Sequence, residues 1–339
     1  MSLTPWDELE KNFEILVLGN GASAAVDEGF LYQSLRQEAE GTGRITPNVS
    51  EIFNYLETSD FELVLKMLLH TSRVNQALRI DNDTPEAVYS EIKKALIETV
   101  RETHVPYEKV LRLLKPMWKF MENFHTVVSL NYDLLVYWAI MAGNEEIGGN
   151  HFKDCFVDEN NQFRYNKWDE LRQGWNGLKK STLVFYPHGN LCLETDDTNS
   201  DRKIQRQEDN NLLNVILKRW EDDNISPLFV SEGTTQQKTK AISRSPYLST
   251  VSKIVLPSLT GNVLVYGWSM SESDVHLVQR LITVNTPKVA ISVHKGNKTY
   301  TEVEQKCHDF ERLVQLCSPF TDVEFFDSQD QGCWLQTPS

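Results

Sequence analysis

Residues 13–23 read Phe-Glu-Ile-Leu-Val-Leu-Gly-Asn-Gly-Ala-Ser, an apolar run that ends in a glycine-rich turn. Further short apolar runs follow at 125–130, 182–188, 227–230, 262–267, 288–294 and 322–326. Runs of this kind are typical of strands covered on both faces, as in parallel sheets. Helical patterns lie between them, at 131–142, 237–256, 271–284 and 300–316. The alternation predicts an α/β fold with a doubly wound parallel sheet.

The spacing of these runs indicates a single domain with insertions. More than 100 residues separate the first two runs, and residues 50–122 have almost entirely helical periodicity. Apolar side chains share one helical face in two stretches, Val64, Leu65, Leu68 and Leu69, then Ile92, Ala95, Leu96 and Val100. We therefore predict one domain over residues 10–330, with a helical insertion at 45–124 and smaller insertions at 143–181 and 193–225. The tail at 329–339 is expected to be frayed.

Composition excludes several classes of function. The 339 residues carry 34 Lys and Arg against 48 Asp and Glu, a net charge of −14, so we expect no direct binding of nucleic acid. No stretch is apolar enough to span a membrane, and the acidic N-terminus lacks the features of a signal peptide, which predicts a cytoplasmic protein. The five cysteines form no Cys-x-x-Cys pair, so we expect reduced thiols and no bound metal.

Polar motifs follow five of the predicted strands. They are GNGAS (19–23), SLNYD (129–133), YPHGN (186–190), SEGTTQ (231–236) and GWSMSESD (267–274). Each motif alone is compatible with a tight turn or a helix cap. Because the carboxyl ends of parallel strands lie at one edge of a sheet, the five motifs together predict one polar crevice for a dinucleotide.

The individual motifs narrow the chemistry. The first resembles only part of a G-x-G-x-x-G fingerprint, because Ala24 occupies the sixth position, and it lacks the Gly-Lys of a P-loop. Its backbone amides and a following helix are expected to bind a pyrophosphate. His188 stands beside a glycine at a strand terminus, where an imidazole can act as a general base. No G-x-S-x-G elbow is present, which disfavours a serine hydrolase.

The ordered set of five motifs resembles the sirtuin-like NAD-binding superfamily, and more narrowly a bacterial family of sirtuin-like proteins without the zinc module. The segment from Phe229 to Gly233, followed by Lys240, Ile242, Tyr247 and Leu248, is similar to a pattern of that bacterial family. The similarity covers about residues 13–285, interrupted by the insertions. It implies a Rossmann-like doubly wound parallel sheet with a large inserted helical subdomain, and NAD as the ligand.

The resemblance also implies roles for particular residues. Asn131 and Asp133 match the pair that faces the nicotinamide and its ribose, and His188 matches the catalytic histidine. The remaining matches are to nucleotide-binding positions: Gly19, Gly21, Ala22 and Ser23 at the pyrophosphate, Gly233 and Thr234 near the adenosine, and Gly267, Ser269 and Asp274 in the last nucleotide-side turn.

Departures from the family pattern bear on the substrate. Sirtuin deacylases carry four zinc-binding cysteines after the catalytic histidine, whereas Cys192 is alone in that interval here. The resemblance therefore implies hydrolysis of NAD to ADP-ribose and nicotinamide, as in bacterial anti-phage proteins that deplete NAD. In that mechanism Asn131 positions a water, His188 accepts its proton, and Asp133 orients the carboxamide or stabilises positive charge.

Two other functions stay open at this point. One is a module that binds NAD or ADP-ribose without turnover and controls a partner, and the other is a protein deacylase. The expected partners are NAD or a related dinucleotide, a second copy of the chain in a homo-oligomer, and an activating protein or phage trigger. Measurement of free nicotinamide distinguishes the hydrolase from the binding module.

Overall fold

A computed structural model describes residues 3–9, 13–31, 34–174, 180–196, 198–204, 211–221, 225–230 and 233–336. Its strands, in chain order, are β1 (Ile15–Leu18), β2 (Thr126–Ser129), β3 (Phe152–Lys153), β4 (Phe156–Asp158), β5 (Gln162–Phe163), β6 (Thr182–Phe185), β7 (Gly189–Asp196), β8 (Asp201–Lys203), β9 (Ile225–Phe229), β10 (Val263–Tyr266), β11 (Lys288–Val293) and β12 (Asp322–Asp327).

The central sheet has seven strands in the order β12-β11-β10-β1-β2-β6-β3, and every neighbouring pair is parallel. Apart from the edge strand β3, its strands follow the 3-2-1-4-5-6 order of a Rossmann fold. β1, β2, β6 and β10 are buried along their whole length, as their apolar runs predict. The predicted Rossmann-like, doubly wound α/β fold is therefore confirmed.

The helices are α1 (Trp6–Leu9), α2 (Asn20–Ala24), α3 (Leu35–Gly41), α4 (Pro47–Tyr55), α5 (Phe61–Leu78), α6 (Asp83–Thr103), α7 (Tyr107–Met121), α8 (Leu135–Ile147), α9 (Leu212–Arg219), α10 (Thr235–Arg244), α11 (Pro246–Thr250), α12 (Leu256–Ser258), α13 (Val275–Leu281) and α14 (Tyr300–Cys317). A π-helical turn at Val251–Val255 joins α11 to α12. None of the described helices is long and apolar enough to cross a membrane.

Helices α4 to α7 lie within residues 45–124, where the helical insertion is predicted, and α3 precedes that segment. Their apolar stripes face the core: Val64, Leu65, Ile92, Ala95, Leu96 and Val100 are buried. The helix predicted at 237–256 is interrupted after Arg244, because Pro246 favours an extended residue before it, and Ser245 has φ −94° and ψ 126°. Ser245 then caps α11 by accepting a hydrogen bond from the Leu248 amide.

A second, antiparallel sheet of five strands, in the order β4-β5-β8-β7-β9, is a feature that the sequence analysis missed. β4 and β5 lie in the predicted insertion at 143–181, and β8 lies in the one at 193–225. β7 begins before that second insertion and ends inside it, and β9 contains most of the run at 227–230. The prediction that this run joins the parallel sheet is wrong, because β9 pairs with β7 in antiparallel orientation. A short buried apolar run does not indicate the direction of its neighbour, which explains the error.

The C-terminal tail is packed against the glycine turn after β1. Cys333 and Trp334 are buried, and Nε1 of Trp334 donates a 3.0 Å hydrogen bond to the carbonyl of Ala22. The expectation of a frayed tail is therefore wrong for residues 329–336, and residues 337–339 lie outside the described part of the chain. Burial of the large Trp334 side chain stabilises the packed tail, although most residues around it are polar.

Candidate functional site

A cavity of about 820 Å³ opens at the carboxyl edge of the parallel sheet. Residues that follow six of its strands line the cavity: Gly19, Asn20 and Gly21 after β1, Leu130 to Asp133 after β2, His188 after β6, Tyr266 to Ser269 at β10, Ser292 and His294 at β11, and Ser328 and Gln329 after β12. The cavity therefore spans the switch point between β1 and β10, where sheets of this order bind nucleotides.

Two glycine turns meet at that switch point. A Cβ atom on Gly19 would lie 2.4 Å from the Trp268 Cα, and one on Gly21 would lie 2.8 Å from the Gly267 carbonyl oxygen. Gly267 has φ +68°, and a Cβ there would lie 2.4 Å from the Ala22 nitrogen. The glycines are thus needed for the close contact between the two turns, as well as for the shape of the cavity floor.

Several amides of these turns bond within the protein. The Gly19 amide donates to the Tyr266 carbonyl (2.9 Å), that of Gly21 to the Gly267 carbonyl (2.7 Å), and that of Ala22 to the Gly19 carbonyl (2.9 Å). The Gly267 amide donates to the Ser292 hydroxyl (2.9 Å). The amides of Gly19, Gly21 and Ala22 were expected to face a pyrophosphate, but in this structure those of Gly19 and Gly21 join the two turns and that of Ala22 bonds within its own turn.

Asn131, Ser23 and Asp133 form a buried hydrogen-bonded group beneath the cavity. Nδ2 of Asn131 donates to the Gly19 carbonyl (3.0 Å) and to the Ser23 hydroxyl (2.7 Å). The Ser23 hydroxyl donates in turn to Oδ2 of Asp133 (2.5 Å), and Oδ1 of Asp133 accepts from the Leu135 amide (2.9 Å). With its amide nitrogen engaged on the β1 side, Asn131 keeps its carbonyl oxygen for a ligand or a water.

Burial dominates the electrostatics of Asp133. It raises the pKa of the carboxyl from 3.8 to about 6, although the hydrogen bonds from Ser23 and Leu135 act in the opposite direction. Asp133 is therefore mostly ionised at pH 7. Its charge lies in a poorly hydrated site, where it interacts strongly with any cation that enters the cavity.

His188 is the buried imidazole of the site. Burial, together with the nearby Lys238 ammonium, lowers its pKa to about 3, although Asp274 acts in the opposite direction. The ring is therefore neutral at pH 7, and its Nε2 atom has no hydrogen-bond partner among the described residues. His188 lines the cavity, and a buried, unpaired imidazole nitrogen can accept a proton from a molecule that reaches it.

A buried ion pair that the sequence analysis missed lies beside His188. Nζ of Lys238 is 2.7 Å from Oδ1 of Asp274, and Oδ2 of Asp274 accepts from Nε1 of Trp268 (3.1 Å). Burial alone would raise the pKa of Asp274, but His188, Lys238 and these hydrogen bonds keep it below its usual value. Lys238 belongs to none of the five motifs, so the sequence offered no signal for it. Its partner Asp274 was predicted as a nucleotide-binding residue.

The structure does not bring every predicted residue to the cavity. Gly19, Gly21, Asn131, Asp133, His188, Gly267, Ser269 and Asp274 line it, whereas Ala22, Ser23, Gly233 and Thr234 are absent from the described lining. Thr234 instead caps α10 in a capping box with Gln237, and Gly233 precedes it with φ +110°. Ser231 and Glu232 of the same motif lie outside the described residues.

The described residues contain no group of three or more His, Cys, Asp or Glu side chains arranged to hold a metal ion. Comparison with known families adds one match. The model of a domain of unknown function, DUF4917, matches residues 16–334, and the chain belongs to this family. No curated protein matches the chain.

Proposed function

We propose that this member of the DUF4917 family is an NAD glycohydrolase, which cleaves NAD to nicotinamide and ADP-ribose. One observation carries the proposal: Asn131, Asp133 and an unpaired, neutral His188 meet the two glycine turns in one cavity at the nucleotide-binding edge of a Rossmann-type sheet. The resemblance of the sequence motifs to the sirtuin-like pattern supports NAD as the ligand.

Departure of nicotinamide requires a group that stabilises positive charge on the ribose. The bond between ribose C1′ and the nicotinamide nitrogen breaks, its electron pair stays with nicotinamide, and positive charge develops on the ribose. The Asp133 carboxylate lies in a poorly hydrated position where it can stabilise that charge without solvent reorganisation. Its hydrogen bonds from Ser23 and Leu135 fix the carboxylate before the substrate enters.

Water then adds to the vacated face of C1′. The carbonyl oxygen of Asn131 accepts a hydrogen bond from this water, and its amide nitrogen holds the side chain in place through Gly19 and Ser23. Nε2 of His188 takes the proton, either directly or through a ribose hydroxyl, and passes it to solvent. A weakly basic imidazole is sufficient because the ribose cation is strongly electrophilic, and Asp274 stabilises the transient imidazolium.

Nicotinamide release tests the proposal. Purified wild-type protein is incubated with NAD, alone and with lysate from phage-infected cells as a source of activator, and nicotinamide and ADP-ribose are quantified. We expect equal amounts of both products, and a loss of about 10²-fold or more in His188→Ala and Asn131→Ala. His70→Ala, which changes an exposed histidine on α5, is the matched control and should keep full activity.

Two outcomes would reject this assignment. One is full turnover in His188→Ala. The other is tight binding of NAD by the wild-type protein without nicotinamide release under any of the activating conditions, which would favour a binding module. We further propose that the activity serves anti-phage defence through NAD depletion, in a homo-oligomer that responds to a phage trigger. Cellular NAD should then fall during infection in cells with the wild-type chain, but not with His188→Ala.

A further inference from the structure

Lys306 is a cation in the cavity wall that the catalytic proposal does not use. It lies in the second turn of α14, the helix that connects β11 to β12, beyond the stretch that resembles sirtuin-like proteins. It lines the same cavity as His294 and Ser328, which belong to the β11 and β12 end of the sheet. Its ammonium lies 5.3 Å from the centre of the Phe310 ring. Burial lowers the pKa of this lysine, and Lys298 adds to the effect.

No carboxylate among the described residues forms an ion pair with Lys306. On a helix, the neighbours of a lysine lie three and four positions away in either direction, and the acidic residues at those positions here are Glu302 and Asp309. Glu302 is engaged by the amide and hydroxyl of Thr299 (2.7 and 2.8 Å), and Asp309 accepts from Gln305 (2.9 Å). The other lysine of the cavity, Lys238, is paired with Asp274.

The cavity is therefore electrically asymmetric along the sheet. Asp27, Glu28 and Asp133 line its β1 and β2 end, and Lys306 lines its β11 and β12 end. Three strand spacings separate β2 from β11, which is about 14 Å. A dinucleotide whose cationic nicotinamide lies beside Asn131 and Asp133 would place its phosphates and its adenosine progressively nearer to Lys306.

The glycine turns offer a phosphate only part of their amides. The amides of Gly19, Gly21, Ala22 and Gly267 are bonded within the protein. In a chain with a net charge of −14, a bound polyphosphate needs a cation close by. Among the described lining residues, Lys306 is the lysine that is free of a carboxylate partner and half-buried in the wall.

We propose that Lys306 binds a phosphate group on the adenosine half of the dinucleotide. This inference rests on the proposed function for the orientation of the ligand. Two sources supply the same chemistry, the pyrophosphate that every such dinucleotide carries and the 2′-phosphate that distinguishes NADP from NAD. An ammonium on a flexible stem reaches either one as a point charge.

Calorimetric binding of three ligands tests the proposal without turnover. The ligands are adenosine, ADP-ribose and 2′-phospho-ADP-ribose, and the proteins are wild type, Lys306→Gln, Lys306→Arg and Lys109→Gln. Lys109 is an exposed lysine on α7, so its substitution makes the same change in net charge away from the cavity. Circular dichroism checks that each variant is folded.

We expect Lys306→Gln to weaken binding of a phosphorylated ligand by about tenfold or more, and Lys306→Arg to retain most of it. An equal loss for both phosphorylated ligands assigns Lys306 to the pyrophosphate, and a loss confined to 2′-phospho-ADP-ribose assigns it to the 2′-phosphate. Adenosine binding, and all binding by Lys109→Gln, should be unchanged.

The proposal is overturned if Lys306→Gln binds both phosphorylated ligands as tightly as wild type, or if wild type binds neither. The nicotinamide assay distinguishes a failure of this proposal from a failure of the proposed NAD hydrolysis. Nicotinamide release with an unaltered KM in Lys306→Gln would reject only the role of Lys306. Binding of ADP-ribose that depends on Lys306, without nicotinamide release, would reject only the hydrolase.

Discussion

The hydroxyl of Ser23 donates a 2.5 Å hydrogen bond to Oδ2 of Asp133, which lies 110 positions further along the chain. Asn131 donates to the same hydroxyl at 2.7 Å. One side chain therefore joins the turn after β1 to the loop after β2. Ser23 was expected to bind the pyrophosphate, but its contacts make it a residue that positions Asp133 and Asn131.

Substitution of Ser23 should shift the pH dependence of NAD cleavage. The Ser23 hydrogen bond lowers the pKa of Asp133, which burial has raised to about 6. In Ser23→Ala the pKa rises further, so the charged carboxylate is lost at a higher pH. We expect the acid limb of nicotinamide release to move upward from about pH 6. Ser243→Ala, an exposed serine on α10, is the control. An unmoved acid limb in Ser23→Ala would contradict the role of this contact.

Asp133→Asn should stabilise the fold at neutral pH while abolishing cleavage. The pKa of the carboxyl is about 6 in the folded protein and 3.8 when unperturbed, so the folded state binds more protons between these values. Stability is therefore lost as the pH rises from about 4 through 6. The difference between the two pKa values corresponds to a loss of ~3 kcal/mol in the unfolding free energy above pH 6.

Urea unfolding at pH 8 and pH 4.5 measures this effect. The variant should exceed wild type in unfolding free energy at pH 8, and most of the difference should disappear at pH 4.5. If Asp133→Asn is less stable than wild type at pH 8, the buried charge of Asp133 does not lower the unfolding free energy as expected.

His188 should remain neutral well below the usual range of histidine. Burial lowers its pKa to about 3, and burial also lowers that of His104 to about 4. In a protein labelled with ¹³C at histidine, we expect the resonance absent from His188→Gln to show no titration between pH 8 and pH 5. A midpoint near 6.5 would show that the imidazole is hydrated. His188 would then be a base with the usual pKa of histidine, contrary to the mechanism proposed above.

Gly267→Ala should destabilise the fold through the contact between the two glycine turns. Gly267 has φ +68°, and a Cβ there would lie 2.4 Å from the Ala22 nitrogen. Gly148 has φ +77°, and a Cβ there would meet nothing within 4 Å, so Gly148→Ala carries the backbone strain without the clash. We expect Gly267→Ala to lose ~1–3 kcal/mol more than Gly148→Ala in chemical denaturation. Equal losses of unfolding free energy in the two variants would mean that the contact between the turns does not stabilise the fold.

Part of the site could be predicted from the sequence because each motif is local. The turns at 19–23, 129–133 and 267–274 follow strands whose apolar runs are visible in the sequence, and a parallel sheet brings such ends to one edge. The exception is the turn at 231–236, because it follows β9 in the antiparallel sheet. Thr234 then caps a helix, which was the simpler interpretation of that motif.

By itself, the sequence determined the Rossmann-like sheet and the edge where most of its polar turns meet, because the apolar runs and the polar motifs that follow them are local features. Only the tertiary structure decided which groups remain available in the cavity. Four of the turn amides are bonded within the protein, to partners such as Tyr266 and Ser292. Lys238 is paired with Asp274, and Lys306 has no carboxylate partner among the described residues. Hydrogen bonding and charge pairing depend on which distant residues come into contact, and no local pattern encodes that.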